Sequence, residues 1–340
     1  MRIRFKFAAL ALTVAAASIG VPAHANDALH VRLDWTPWGD HAAFHLAAKK
    51  GLYTSHGLDV TFDDGNGSVA AVQIVGNGGS YDIGHAALAV MAIARAKGLP
   101  VKAVANFFRQ NDIGLMVGKD SGIEGPKDLR GKNLTFTAGS LETPFLDRFL
   151  AAGGLTRGDV GLTNVDAASK GGMYMSGKVD GAFSSAPFMQ PIFDKQRPTK
   201  TIRFSDYGLQ FPSFGLFATE NSLSQKGDAI KRFASITAGC WEYIFNGHED
   251  EAVQAIMEAR PQAKLDPKVL REQIASLHDF VSTPATKDLP FGFMTDEDWK
   301  QALDTLKAGG LVDHVDPPGA LYTNNYLDPK LIKEIADGGK

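Results

Sequence analysis

An acid, two indoles and a histidine fall within nine residues, Leu33-Asp34-Trp35-Thr36-Pro37-Trp38-Gly39-Asp40-His41. These are residue types that hold a small molecule: a carboxylate to accept hydrogen bonds and flat apolar rings to pack beside it. Taken singly, Asp34 would more often cap backbone and Trp35 would more often fill a core; together in one short loop they favour a ligand. Catalytic alternatives do not assemble. Ser140, Ser184 and His85 suggest a nucleophile and a base, but the chain has no Gly-x-Ser-x-Gly elbow. His41 and His45 come nearest to a metal pair, at helical spacing, without an evident third ligand beyond Asp40, so no metal is expected.

The elements around this stretch explain why it should form a ledge. Leu29, Val31 and Leu33 alternate with His30, Arg32 and Asp34, the period of a strand. Ala42 to Lys50 is rich in helix formers, with Asp40 placed to cap it and Gly51 to end it. The acid and indoles therefore sit where a strand hands over to a helix, the edge at which open α/β sheets bind ligands.

The same rhythm continues along the chain. Leu58–Phe62 reads as a strand, Ser68–Val75 as a helix started by Ser68 after Gly65-Asn66-Gly67, and His85–Lys97 as a helix of small residues. The free N–H groups expected at Ser68 could face a ligand, although a lone Gly-x-Gly is weak evidence for one. The strand Val101–Ala105 leads to Asn106. Ile113–Val117 then runs extended into the composition break at Gly118–Gly122, and a second lobe is expected from about there. Within it, Ser140 and Thr143 precede a helix ending at Ala152, and Ser184 and Ser185 follow a strand. Phe214–Thr219 carries the chain back, and the amphipathic helices that follow read as packing for the first lobe. The expected division is 26–115 with 214–340 for lobe 1 and 116–213 for lobe 2.

Charge and cysteine content set the address. Arg2, Arg4 and Lys6, an apolar run from Phe7 to Val21, and Ala23-His24-Ala25 read as a secretory signal peptide over residues 1–25. Its removal takes away three basic and no acidic side chains, which moves the formal charge from -3 to about -6 and argues against a nucleic-acid partner. Cys240 is the single cysteine, so no intramolecular disulfide can form, and no cysteine near the cleavage signature suggests a lipid anchor. The remaining chain of about 315 residues exceeds one ordinary core, which favours two α/β lobes.

Several segments together resemble the exported solute-binding proteins of ABC importers, in the branch shared with thiamine-pyrimidine synthase and the binding proteins for pyrimidine precursors, taurine, sulfonates and nitrate. They are Leu33–Pro37 with His41, Lys50-Gly51-Leu52-Tyr53, Gly57–Val60, Tyr81–Gly84, Asp128–Lys132, Gly177–Ala182 and Tyr322–Tyr326. The resemblance implies an α/β, two-lobe periplasmic-binding-protein (type II) fold with two crossover strands, a ligand cleft between lobes, a monomer, and an ABC permease with its ATPase as partner. No cofactor is expected.

The Leu-Asp-Trp-Thr-Pro opening is similar to that of the pyrimidine-precursor binders. Asp34 would accept from an exocyclic amine and a ring N–H, and Trp35 would stack on the ring. His41, Ser68, His85, Asn106, Ser140, Thr143, Ser184 and Ser185 would complete the site from both lobes. A sulfonate or nitrate would instead need positive charge, for which Arg109 is the candidate, and Asp34 would repel it. Phe183–Phe188 departs from the segments that both ligand classes show there, so a sulfonate-type binder stays an alternative. A synthase-like enzyme is the other alternative. His41 aligns with the histidine consumed by such enzymes, but their cysteine cluster is missing and the 33–48 segment holds no lysine.

Overall fold

The computed structural model describes residues 25–314 and 316–339. The expected signal peptide falls almost wholly outside the described residues. Among the described residues there are ten strands: β1 Asp27–Arg32, β2 Leu58–Asp63, β3 Ile83–Ala87, β4 Val101–Asn106, β5 Ile113–Gly118, β6 Asn133–Phe136, β7 Gly161–Asn164, β8 Gly181–Ser185, β9 Thr199–Arg203 and β10 Phe214–Thr219. They form two five-stranded sheets, ordered β2-β1-β3-β10-β4 and β7-β6-β8-β5-β9. In the first, β10 runs antiparallel to β3 and β4 while β1 pairs in parallel with β2 and β3. In the second, β5 runs antiparallel to β8 and β9 while β6 pairs in parallel with β7 and β8. Each sheet thus takes its antiparallel strand from the chain that has just crossed between them.

The burial of these strands follows from their sequences. β3, β5, β8 and β10 are buried along their whole length, as strands with covered faces must be. β1 alternates, with Leu29 and Val31 buried and His30 and Arg32 half-buried. The expected lobe boundary at 115/116 falls inside β5, all of which pairs in the second sheet. Passage between the sheets therefore lies at 107–112 and again at 204–213.

Three local expectations change. His85 is the middle residue of β3, and the helix after it is Leu88–Ala96, because the apolar run from Ile83 first satisfies its backbone in the sheet. The first helix is Ala42–Lys49, reached through a turn at Gly39–His41, and the Asp40 side chain makes no cap hydrogen bond. The C-terminal helices do not all serve the first sheet: Pro267–Leu277 packs on Ala186–Asp194, the helix that follows β8 in the second. No helix among the described residues is long and apolar enough to cross a membrane.

Candidate functional site

The segment after β1 turns sharply because two glycines allow another strand's loop to lie against it. A Cβ on Gly65 would stand 2.2 Å from the Leu33 carbonyl oxygen, and one on Gly67 would stand 2.2 Å from that of Gly139 in the second sheet's half. Gly65 N–H donates to Trp35 O (2.9 Å) and Gly67 N–H to Asp34 O (2.6 Å), which holds Asp34 and Trp35 at the mouth between the sheets. Val69 N–H, at the start of the helix Ser68–Gly76, donates to Gly139 O at 3.0 Å. A backbone donor at this helix start is spent on a bond across the cleft rather than left for a ligand.

A cavity lies at this junction, walled by Asp34, Trp35, Trp38, Ser68 and Phe214 on one side and Ser140, Leu141, Ser184, Ser185 and Phe188 on the other. It leaves about 10 Å³ in which a water centre could sit, room for a single water. The aromatic rings fill the remainder. Trp38 meets Phe188 edge-on at 5.3 Å and Phe214 at 5.7 Å, and Trp35 meets Phe188 at 6.3 Å. This is a closed cleft.

Behind the wall lies a buried polar cluster. Asp34 Oδ1 accepts from His41 Nε2 at 3.0 Å and from His85 Nδ1 at 3.2 Å, no described residue bonds Oδ2, and the side chain lines the cavity. Burial alone would raise the Asp34 carboxyl, but the bonds from His41 and His85 outweigh it and bring the pKa to about 2. Burial holds His85 below the usual imidazole range even though Asp34 opposes the shift. Asp40 is pushed well above the carboxylate range by burial and by the charges of Asp34 and Asp112. Its two oxygens have no hydrogen-bond partner, and Oδ2 lies 3.4 Å from His85 Nε2. Asp112, beside the crossing, is raised to about 6 by burial, against the hydroxyls of Ser185 and Ser213.

Of the residues singled out in the sequence, Asp34, Trp35, Ser68, Ser140, Ser184 and Ser185 line the cavity. Ser68 Oγ accepts from Ala87 N–H, Ser140 Oγ donates to Glu142, and the buried Ser185 hydroxyl lies against the Asp112 carboxyl. His41 and His85 stand one layer back, touching Asp34. Asn106 ends β4, where its backbone meets Gly292, and Thr143 Oγ1 donates to Thr137 O; neither reaches the cavity wall. Arg109 also lies away from it. Its guanidinium donates to the carbonyls of Val281, Pro290 and Phe293, and burial lowers its pKa to about 10.

Sequence reasoning passed over Phe188, Leu141 and Phe214 as wall residues, and over Lys170 behind them. Lys170 is wholly buried, donates to Glu142 Oε1 (2.7 Å) and Phe183 O (2.8 Å), and lies 5.7 Å from the centroid of Trp35. The apolar residues after β8 could have suggested Phe188. Nothing local marks Lys170, whose partner stands 28 positions earlier.

The NMT1/THI5-like family model matches residues 38–252. This chain belongs to that family. A formylaminopyrimidine-binding protein from Halalkalibacterium halodurans is 22% identical over 84% of this chain and 86% of its own length. A protein from Aspergillus parasiticus named 4-amino-5-hydroxymethyl-2-methylpyrimidine phosphate synthase is 20% identical over 92% of this chain and 91% of its own. Among solved structures, the alkanesulfonate-binding protein SsuA from Xanthomonas axonopodis pv. citri, bound to MOPS, superposes with a TM-score of 0.67 at 16% identity, covering 88% of this chain and 100% of that one. The two-sheet architecture is thus that of the periplasmic binding proteins.

Proposed function

We propose that this chain is an exported binding protein that captures a small nitrogen heterocycle, a thiamine pyrimidine precursor, and presents it to an ABC importer from the periplasm. The observation that carries this is Asp34: a carboxylate held ionised by two histidines, with no described residue bonding Oδ2, lining one cavity with Trp35, Trp38 and Phe188. An ionised acceptor amid flat apolar surfaces suits a ring edged with N–H donors. It opposes an anion, and the one arginine considered for an anion is committed to three backbone carbonyls. A charge-assisted hydrogen bond contributes about 1.5–3 kcal/mol and ring stacking about 0.5–1.5 kcal/mol beyond the area buried.

The lobes in this reading follow the two sheets, with the passages at 107–112 and 204–213 as hinges. Because the closed cleft has room for one water, the solute enters an open form, and Trp35 and Phe188 part to admit the ring. A solute that touches both lobes binds its own closed form better than the open form and shifts the population towards closure. Catalysis is not part of this reading. Cys240 is buried with its thiol pushed up to about 12, and Lys170 is engaged by Glu142 and Phe183. The protein acts as a monomer whose single partner is the permease with its ATPase.

The test is a thermal-shift screen of the chain against hydroxymethyl- and formylamino-pyrimidines, thiamine, taurine, alkanesulfonates and nitrate, since a ligand at a hundred times its dissociation constant adds about 2.7 kcal/mol. Stabilisation by pyrimidines, lost at least tenfold in Asp34→Ala by calorimetry, is expected. Stabilisation by sulfonates alone, or equal affinity in Asp34→Ala, overturns the assignment.

A further inference from the structure

We propose that Asp34, His41 and His85 form a site for a divalent transition-metal ion, zinc(II) being the ion whose preferences they match. One ligand atom from each of the three lies within 4.8 Å of the others, and all three residues are buried. Two of the three pairs, those that Asp34 makes, already stand at the spacing that coordination requires. Zinc bonds of about 2.0 Å in a tetrahedron place neighbouring ligand atoms about 3.3 Å apart, and here Asp34 Oδ1 is 3.0 Å from His41 Nε2 and 3.2 Å from His85 Nδ1. Two imidazoles and a carboxylate form the donor set of a zinc or iron(II) site that keeps coordination positions open.

A separate observation points to the same occupant. Asp40 is fully buried, and neither carboxylate oxygen has a hydrogen-bond partner, a costly arrangement to leave without a role. Its Oδ2 faces His85 Nε2 at 3.4 Å, on the far side of the ring from Asp34. A metal on Nδ1 of His85 puts the ring proton on Nε2, where Asp40 accepts it. That is the outer carboxylate which metal-bound histidines characteristically recruit to fix their orientation. The ring is also clamped by Phe44 at 5.1 Å and Phe214 at 5.5 Å, so the donor is preorganised. His45, four positions from His41 and the partner its spacing suggested, is not in the cluster; β3 supplies His85 instead.

This site goes beyond the solute reading, since the metal takes Oδ1 of Asp34 and the solute is read at Oδ2. The experiment uses the whole chain stripped with EDTA, titrated with zinc(II) in a calorimeter and with cobalt(II) in a visible spectrometer. One ion per chain is expected, with a cobalt d–d band that zinc abolishes. His85→Gln and His41→Gln should each weaken binding at least a hundredfold, and Asp40→Asn should weaken it about 10- to 100-fold. X-ray absorption at the zinc edge of the parent protein should report two imidazoles, a readout that survives if a variant fails to fold. No heat and no band, an affinity unmoved in the histidine variants, or an edge spectrum without imidazole overturns the proposal. Pyrimidine affinity measured on the same stripped protein separates the two readings, because either can fail while the other holds.

Discussion

Trp35 and Lys170 meet across the cleft, the ammonium 5.7 Å from the indole centroid, although one residue follows β1 in the first sheet and the other lies on the helix Ala167–Met175 of the second. The ring that is proposed to stack on a solute thus rests on a cation in the closed form. Lys170 also neutralises Glu142, and both are wholly buried. Lys170→Met should therefore destabilise the protein by about 3–5 kcal/mol, because it leaves an uncompensated buried carboxylate. Adding Glu142→Gln should restore most of that. Urea unfolding measures both, and a double variant no more stable than the single would show that the charge of Glu142 is not the cause.

Gln273, itself buried, bridges the two sides of the cleft. Its Oε1 accepts from Gly39 N–H at 3.0 Å and its Nε2 donates to Phe188 O at 2.8 Å, linking the loop after β1 to the helix after β8. Two such bonds are worth about 1–3 kcal/mol together. Gln273→Ala should increase the open population of the solute-free chain and speed solute release. Gly39→Ala should act in the same direction, since its Cβ would meet Gln273 Cβ at 2.7 Å. The radius of gyration by small-angle scattering reads the first effect and stopped-flow dissociation the second; no change in either would deny Gln273 this role.

Two buried groups give opposing pH responses. His45 is held at about 3 by burial, with His41 and Arg260 nearby, whereas the unfolded chain protonates near 6.5. Stability from this group is present above 6.5 and is lost as pH falls below it, by up to about 1.4 kcal/mol per unit. Asp112, at about 6 folded and 3.8 unfolded, works the other way: the folded state holds the extra proton, so stability rises as pH falls from 6 towards 3.8. Between pH 6 and 4 the slopes offset each other. Asp112→Asn should steepen the acid loss of stability and His45→Leu should lessen it. Urea midpoints at pH 4.5, 5.5 and 7 test this, and parallel curves for parent and variants would contradict both assignments.

Arg109 is a clamp on the segment 281–293. Arg109→Met should cost about 1–3 kcal/mol by stranding carbonyls of Val281, Pro290 and Phe293, and should leave pyrimidine affinity unchanged. A selective loss of solute binding, with stability intact, would return Arg109 to the site.

Much of the architecture is legible along the chain because it depends on local periodicity. The alternation in β1, the helix formers from Ala42 and the strand–helix rhythm after Leu58 reflect the pleat and the 3.6-residue turn, which neighbours in sequence report directly. The reading slips where tertiary pairing overrides propensity. His85 and Ala86 have helix-compatible neighbours, but β10 offers their backbone antiparallel partners, and the strand wins.

The candidate site divides in the same way. Asp34, Trp35 and the serines at strand ends could be chosen from sequence because a strand's carboxyl end is where ligands bind. Which of them share a wall depended on how the two sheets face each other. His41 and His85 are 44 positions apart and are joined by Asp34, and Lys170 bonds Glu142 on its own side of the cleft while it reaches Trp35 on the other. Local sequence determined the strands, the helices and the residue types at the ledge, since those follow from short-range sterics and hydrophobic period. Tertiary structure decided the buried charges, the bonds that close the cleft and the Asp34 cluster, because desolvation and pairing act through space between residues that sequence order keeps apart.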